Sequence, residues 1–141
     1  MRRASLWLPP LVYMAAIFHF SSESHPLPML TEHVWDKLLH TIEYVGLAVL
    51  LFRALDGEGL GWRRSAILTV LLVSAYGASD EWHQSFVPLR DSDVMDWLTD
   101  TLAGAIGAAA CVVFQPAYTD QRKGREDRKA EDSLRAPRGK A

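Results

Sequence analysis

The sequence predicts an all-α polytopic membrane protein: four transmembrane helices in a bundle, with both termini cytoplasmic. Three observations predict it. Of the 141 residues 49% are hydrophobic, yet mean hydropathy is near zero, because the apolar residues are concentrated in four runs and the last stretch is almost all polar. The longer runs match the thickness of a bilayer. The basic residues segregate to one side of the runs. The formal charge of −2 is a poor guide for the same reason of segregation. The single cysteine, Cys111, excludes an internal disulfide and a cysteine-based zinc site.

The first run, Leu6 to Phe20, follows the basic start Met1-Arg2-Arg3. It is short, and borrows residues from Arg3 onward to cross. The second runs from about Leu38 to Leu55, the third from Trp62 to Ser79, and the fourth from Val94 to Phe114. Eighteen helical residues rise roughly 27 Å, close to a hydrocarbon core of about 30 Å. A soluble bundle would show polar faces along each helix. Val45–Phe52 and Ala103–Phe114 contain none. No small-residue cleavage site follows the first run, which argues against a signal peptide. Trp7, Phe20, Trp35, Trp62, Trp82, Trp97 and Tyr118 stand near run ends, as in an interfacial belt.

The connecting segments set the orientation. Arg2, Arg3, Arg53, Arg63, Arg64 and the basic residues of the tail fall on one side, and only Lys37 and Arg90 on the other. Excess Lys and Arg marks the cytoplasmic side. The domain organisation expected is residues 1–118 as the membrane domain and 119–141 as a disordered, charged cytoplasmic tail, since Thr119 to Ala141 has no apolar spacing. The location expected is a membrane, crossed several times.

All five histidines, and ten of the acids, then fall on the outer half. Their spacing is helical. Asp36, His40 and Glu43, with Tyr44 beside them, share a face of the second helix. Tyr76, Asp80 and His83/Gln84 repeat that spacing on the third. Asp93, Asp96 and Asp100 do so on the fourth, and their stripe continues as Gly104, Gly107 and Cys111. Small residues let helices approach closely in lipid, so this face should turn inward and take the carboxylates with it. Glu43 and Asp100 lie too deep for a capping role. Ser92 is the expected N-cap of the fourth helix, with Asp93 and Asp96 in its first turn. Asp36 is a candidate cap of the second. His19, His25 and His33 read as interfacial or loop residues.

These residues carry a resemblance. Asp36-Lys37, His40 and Glu43-Tyr44, then Asp80-Glu81, His83-Gln84, Phe86-Val87-Pro88 and Arg90, then Asp96, Asp100, Gly104 and Gly107 resemble the VanZ-like family of bacterial membrane proteins over roughly residues 6 to 115. Phe20-Ser21-Ser22 fits as well. Leu89 stands where the family commonly has Gly, and Asp100 where Asn is common. The resemblance implies a multi-helix membrane module, and its founding member is linked to low-level resistance to the glycopeptide teicoplanin. It also implies that Asp36, Lys37, His40, Tyr44, Asp80, Glu81, His83, Gln84, Arg90, Asp96 and Asp100 form a shared polar set.

Three functions are compatible with that set. The first is a binding or envelope-modifying module, whose acids take a cationic group and whose Arg90 offers a fork to a carboxylate or phosphate. Its partners would be the lipid bilayer and an envelope lipid or glycopeptide ligand; nucleic acid is not an expected partner. The second is a metal-dependent enzyme on a lipid-linked envelope substrate. A divalent metal is its candidate cofactor, with His40, Glu43, Asp80, His83 and Asp96 as candidate ligands. No GxSxG, HExxH or P-loop signature accompanies them. The third is a proton or cation carrier, for which the inner halves of the helices show no matching polar residues.

Overall fold

The computed structural model describes residues 2–22, 33–88, 90 and 92–135, and side chains over 3–22, 38, 40–88, 90 and 92–114. Among these there are four helices and no strand: α1 (Arg2–Ser21), α2 (His33–Gly57), α3 (Trp62–Gln84) and α4 (Val94–Arg135). Each apolar run nucleates one helix, and the polar ends extend it. Pro9 and Pro10 stand inside α1, where they remove two backbone donors. The α2–α3 turn uses Gly59 at φ 90° and Gly61 at φ 77°, angles that side chains resist. Beyond α3 the chain turns on Val87 N–H to the Gln84 carbonyl and Arg90 N–H to the Val87 carbonyl, around Pro88.

α4 packs against α2 and α3, which also meet each other. α1 lies mainly on α2, touches α3 lightly and does not meet α4. The small stripe of α4 does turn inward. A Cβ on Gly104 would stand 2.6 Å from Val73 Cγ1, and one on Gly107 would stand 2.8 Å from Ala48 Cβ. The two ends of the bundle are chemically distinct. At one, Arg3 pairs with Glu58 at 3.2 Å, Trp7 Nε1 donates to the same carboxylate at 3.2 Å, and Leu6 packs on Gly57. At the other, the end of α1 meets the end of α3.

The helices turn apolar residues outward and bury polar ones beside an apolar core. Leu8, Leu11, Val12, Ile42, Ile67, Leu71, Leu102 and Ile106 are all more than half exposed, while Asp80, Glu81, Asp100, Ser65 and Thr69 are buried. An apolar solvent accounts for that inversion; water does not. Two helices, α1 over Arg3–Ser21 and α4 over Val94–Phe114, are long and apolar enough to cross a membrane. The sequence predicted four. α2 and α3 fall short because their inward faces carry polar groups, such as Asp80 and Glu81 on α3, although their outward faces are apolar.

The backbone of α4 continues as helix to Arg135, into the tail expected from Thr119 onward. Glu, Lys, Arg and Ala are good helix formers, and they extend a helix already nucleated by packing. The N-cap of α4 is Asp93, not Ser92. Its Oδ1 accepts from Met95 N–H at 2.8 Å, because the helix begins one residue later than Ser92 would require.

Candidate functional site

The last two turns of α3 build the end of the molecule opposite the Arg3–Glu58 pair. Asp80, Glu81 and Gln84 are all buried there, on the same face as Gly77. Asp80 is 2% exposed, and one of its oxygens takes three donors. Onto Oδ2 converge Ser21 Oγ at 2.7 Å from α1, Gln84 Nε2 at 3.1 Å from the next turn, and Tyr44 OH at 3.4 Å from α2. Gln84 Nε2 also donates to Ser21 Oγ at 3.4 Å. Tyr76, one turn earlier, donates to the Met14 carbonyl at 2.6 Å. α1 is thus held to α3 by hydrogen bonds at this end.

A second carboxylate lies beside the first. Asp100 is fully buried, and its Oδ1 is 3.3 Å from His40 Nδ1. The His40 ring lies parallel to that of Tyr44, with centroids 6.2 Å apart. Gly77 makes the room: a Cβ there would stand 3.2 Å from both Cβ and Oδ2 of Asp100. The third, Glu81, accepts Asp93 N–H at 2.8 Å and so fixes the start of α4. It lies past the apolar run of α3. Burial pushes its carboxyl above the ordinary value, and Asp96 and Asp100 add to that; Asp93 N–H and His40 oppose it.

The structure therefore brings together His40, Tyr44, Asp80, Glu81, Gln84 and Asp100. Others of the expected set are placed differently. His83 turns to α1, where Nε2 is 3.0 Å from Ser22 Oγ and the ring sits 4.3 Å from that of Phe18. Arg90 Nη2 donates to the Phe20 carbonyl at 3.5 Å and so ties a loop to the end of α1. Glu43 and Asp96 are half-buried on α2 and α4. The side chains of Asp36 and Lys37, and Leu89, His25 and the side chain of His33, lie outside the described residues. The expected metal candidates His40, Glu43, Asp80, His83 and Asp96 do not form a ligand set: no three His, Cys, Asp or Glu among the described residues gather closely enough to hold an ion.

Sequence reasoning missed Ser21, Ser65 and Thr69. Ser21 belongs to the Phe20-Ser21-Ser22 string, but nothing in the spacing showed that its hydroxyl meets Asp80. Ser65 and Thr69 are buried on the inner face of α3. The signal for them was their four-residue spacing with Val73 and Gly77. Five buried atoms have no hydrogen-bond partner among the described residues: Asp80 Oδ1, Glu81 Oε1, Asp100 Oδ2, Ser65 Oγ and Thr69 Oγ1.

A family model described as VanZ/LLP1 matches residues 2–115. The chain belongs to the VanZ/LLP1 family. The match covers α1 to α3 and the apolar part of α4, so every described residue of the carboxylate cluster lies in the VanZ/LLP1 region. The apolar exterior and the VanZ/LLP1 assignment together indicate a membrane protein. No curated protein and no solved structure is significantly similar to the chain.

Proposed function

We propose that this VanZ/LLP1 protein is a binding module of the bacterial inner membrane. Its four helices cross the bilayer with both termini cytoplasmic, and its outer carboxylates take up a cationic group of an envelope lipid or a glycopeptide-like ligand. One observation carries the reading: Asp80, Glu81 and Asp100 are each at least nine-tenths buried, and each keeps one oxygen with no partner among the described residues. Buried charges in proteins are paired or hold cations. Three inward acids on adjacent helices beside one imidazole make an electronegative recess. The two bundle ends support the orientation, since Arg3 and the α2–α3 turn share one end, and excess basic residues mark the cytoplasmic side.

The dispersed donors favour binding of a larger organic cation over a compact ion held by three side chains. For that reason the metal-enzyme reading ranks second. Arg90, beside the end of α1, supplies a fork for an anionic group on the same ligand. The test is a deletion strain complemented with the wild type, Asp80→Asn or Arg90→Ala, scored for glycopeptide and envelope-stress sensitivity. The reading expects both variants, present at wild-type levels in the membrane, to behave like the deletion. Wild-type sensitivity in the deletion strain and in both complemented strains overturns it.

A further inference from the structure

The five buried atoms without partners are not scattered. Ser65 Oγ, Thr69 Oγ1, Asp80 Oδ1 and Glu81 Oε1 all belong to the inner face of α3. The fifth, Asp100 Oδ2, lies 3.2 Å from where a Cβ on Gly77 of that face would stand. The face reads Ser65, Thr69, Val73, Gly77, then Asp80 and Glu81, with steps of three or four residues. Ser65 and Thr69 are fully buried, in the half of the helix opposite the carboxylates. Binding a ligand at the outer end makes no use of them. A buried hydroxyl with no partner costs free energy in an apolar surround, so two in succession need a reason. A hydroxyl both donates and accepts, which lets it pass a proton along a chain of water.

The geometry points to a proton path along the inner face of α3, from Ser65 and Thr69 to Asp80 and Asp100, closed at Val73 in this conformation. Thr69 and Asp80 are separated by about 16 Å of helix, which a file of roughly five waters at about 2.8 Å spacing would bridge. Between them the buried face of α3 presents Val73 and Gly77. Asp100 and Tyr44 fill the space beside Gly77, where a Cβ would meet them at 3.2 and 3.4 Å. Val73 is fully buried and pressed onto Gly104, where a Cβ would meet its Cγ1 at 2.6 Å. Val73, packed with Tyr44, Leu47, Ala48, Leu51 and Ala103, therefore closes the hydroxyl half from the carboxylate half, and it is the α3 side chain in that plug. The chemistry is proton exchange alone. Hydronium at the outer end gives its proton to a carboxylate oxygen. Each O–H bond formed on one oxygen releases a proton to the next, and the last leaves past Ser65 to water. One positive charge crosses per proton, so a counter-ion must flow. The path shares the outer carboxylates with the binding reading but needs no envelope ligand.

The experiment uses the full chain in liposomes that enclose a pH-sensitive dye, with a potassium gradient and valinomycin supplying the counter-flow. Val73→Ser should raise the proton flux about tenfold over the wild type, equivalent to about 1.4 kcal/mol off the barrier. Val73→Thr keeps the side-chain volume and should raise it in the same direction, which separates added polarity from a loosened core. Adding Thr69→Val or Asp80→Asn to Val73→Ser should return the flux to the wild-type level, with all variants monodisperse in detergent. The path is overturned if neither Val73 variant conducts faster than the wild type, if the added flux survives both second substitutions, or if it requires sodium in place of choline. Loss of drug or envelope phenotypes in the Arg90→Ala strain bears on the binding reading alone, since Arg90 is not on the path. Flux in empty-ligand liposomes bears on this one alone.

Discussion

Gly107→Ala and Gly46→Ala test whether stiffness or distance governs packing in this bundle. A Cβ on Gly107 would stand 2.8 Å from Ala48 Cβ and 3.0 Å from the Val45 carbonyl oxygen. An ordinary carbon–carbon contact is about 3.5 Å, so the new methyl is short by roughly 0.7 Å. Both neighbours are fixed to the α2 backbone, and only separation of α2 from α4 relieves the clash. A Cβ on Gly46 would come closer still, 2.6 Å from Tyr13 OH, but that atom is the tip of a side chain that can swing. Each substitution gains about 1 kcal/mol of helix propensity. Overpacking against a rigid neighbour costs about 1–3 kcal/mol. Gly107→Ala should therefore lose up to about 2 kcal/mol net, and Gly46→Ala should be neutral or slightly stabilising. Reversible denaturation in mixed micelles reads both. If Gly46→Ala is the more damaging, as bare distance implies, the rigid seam between α2 and α4 is not what holds His40 and Asp100 in register.

Other outcomes can be checked with the same preparations. Asp100→Asn keeps an oxygen facing His40 but removes one of the three inward acids, so complementation should fall; full complementation would show that Asp80 and Glu81 suffice without the third carboxylate. Ser21→Ala removes the 2.7 Å bond to Asp80 and should lower stability by about 2 kcal/mol; a change within experimental error would mean that α1 is not held there. The raised Glu81 carboxyl means that the folded state favours its protonated form. Stability from this group is greatest below the unfolded value and is lost as pH rises toward the folded one. Glu81→Gln keeps an acceptor for Asp93 N–H and should flatten that slope, giving a more stable protein above it; an unchanged pH profile of thermal unfolding would refute the burial argument.

The helix-period spacing of Tyr76, Asp80 and Gln84 made the polar end of α3 legible, because periodicity fixes which residues share a face. The same logic placed Gly104 and Gly107 inward. It could not show that His83 turns to Phe18 and Ser22, since a residue one step off the stripe can lean to either neighbour. It could not join Ser21 to Asp80, because the pairing depends on how two helix ends meet. Ser65 and Thr69 escaped notice for another reason. A hydroxyl can satisfy itself on its own helix backbone, so it barely disturbs an apolar run. The helical continuation of α4 to Arg135 was not legible, because missing apolar spacing speaks against packing, whereas a growing helix needs only residues that tolerate it.

The hydroxyl of Ser21 and its carboxylate partner are 59 residues apart in the chain. α1 is made before α3, so its bonds from Ser21 to Asp80, from Tyr76 to Met14 and between Ser22 and His83 close only once α3 exists, while its packing on α2 can form earlier. The far end of α1 thus stays unlatched through the making of two further helices.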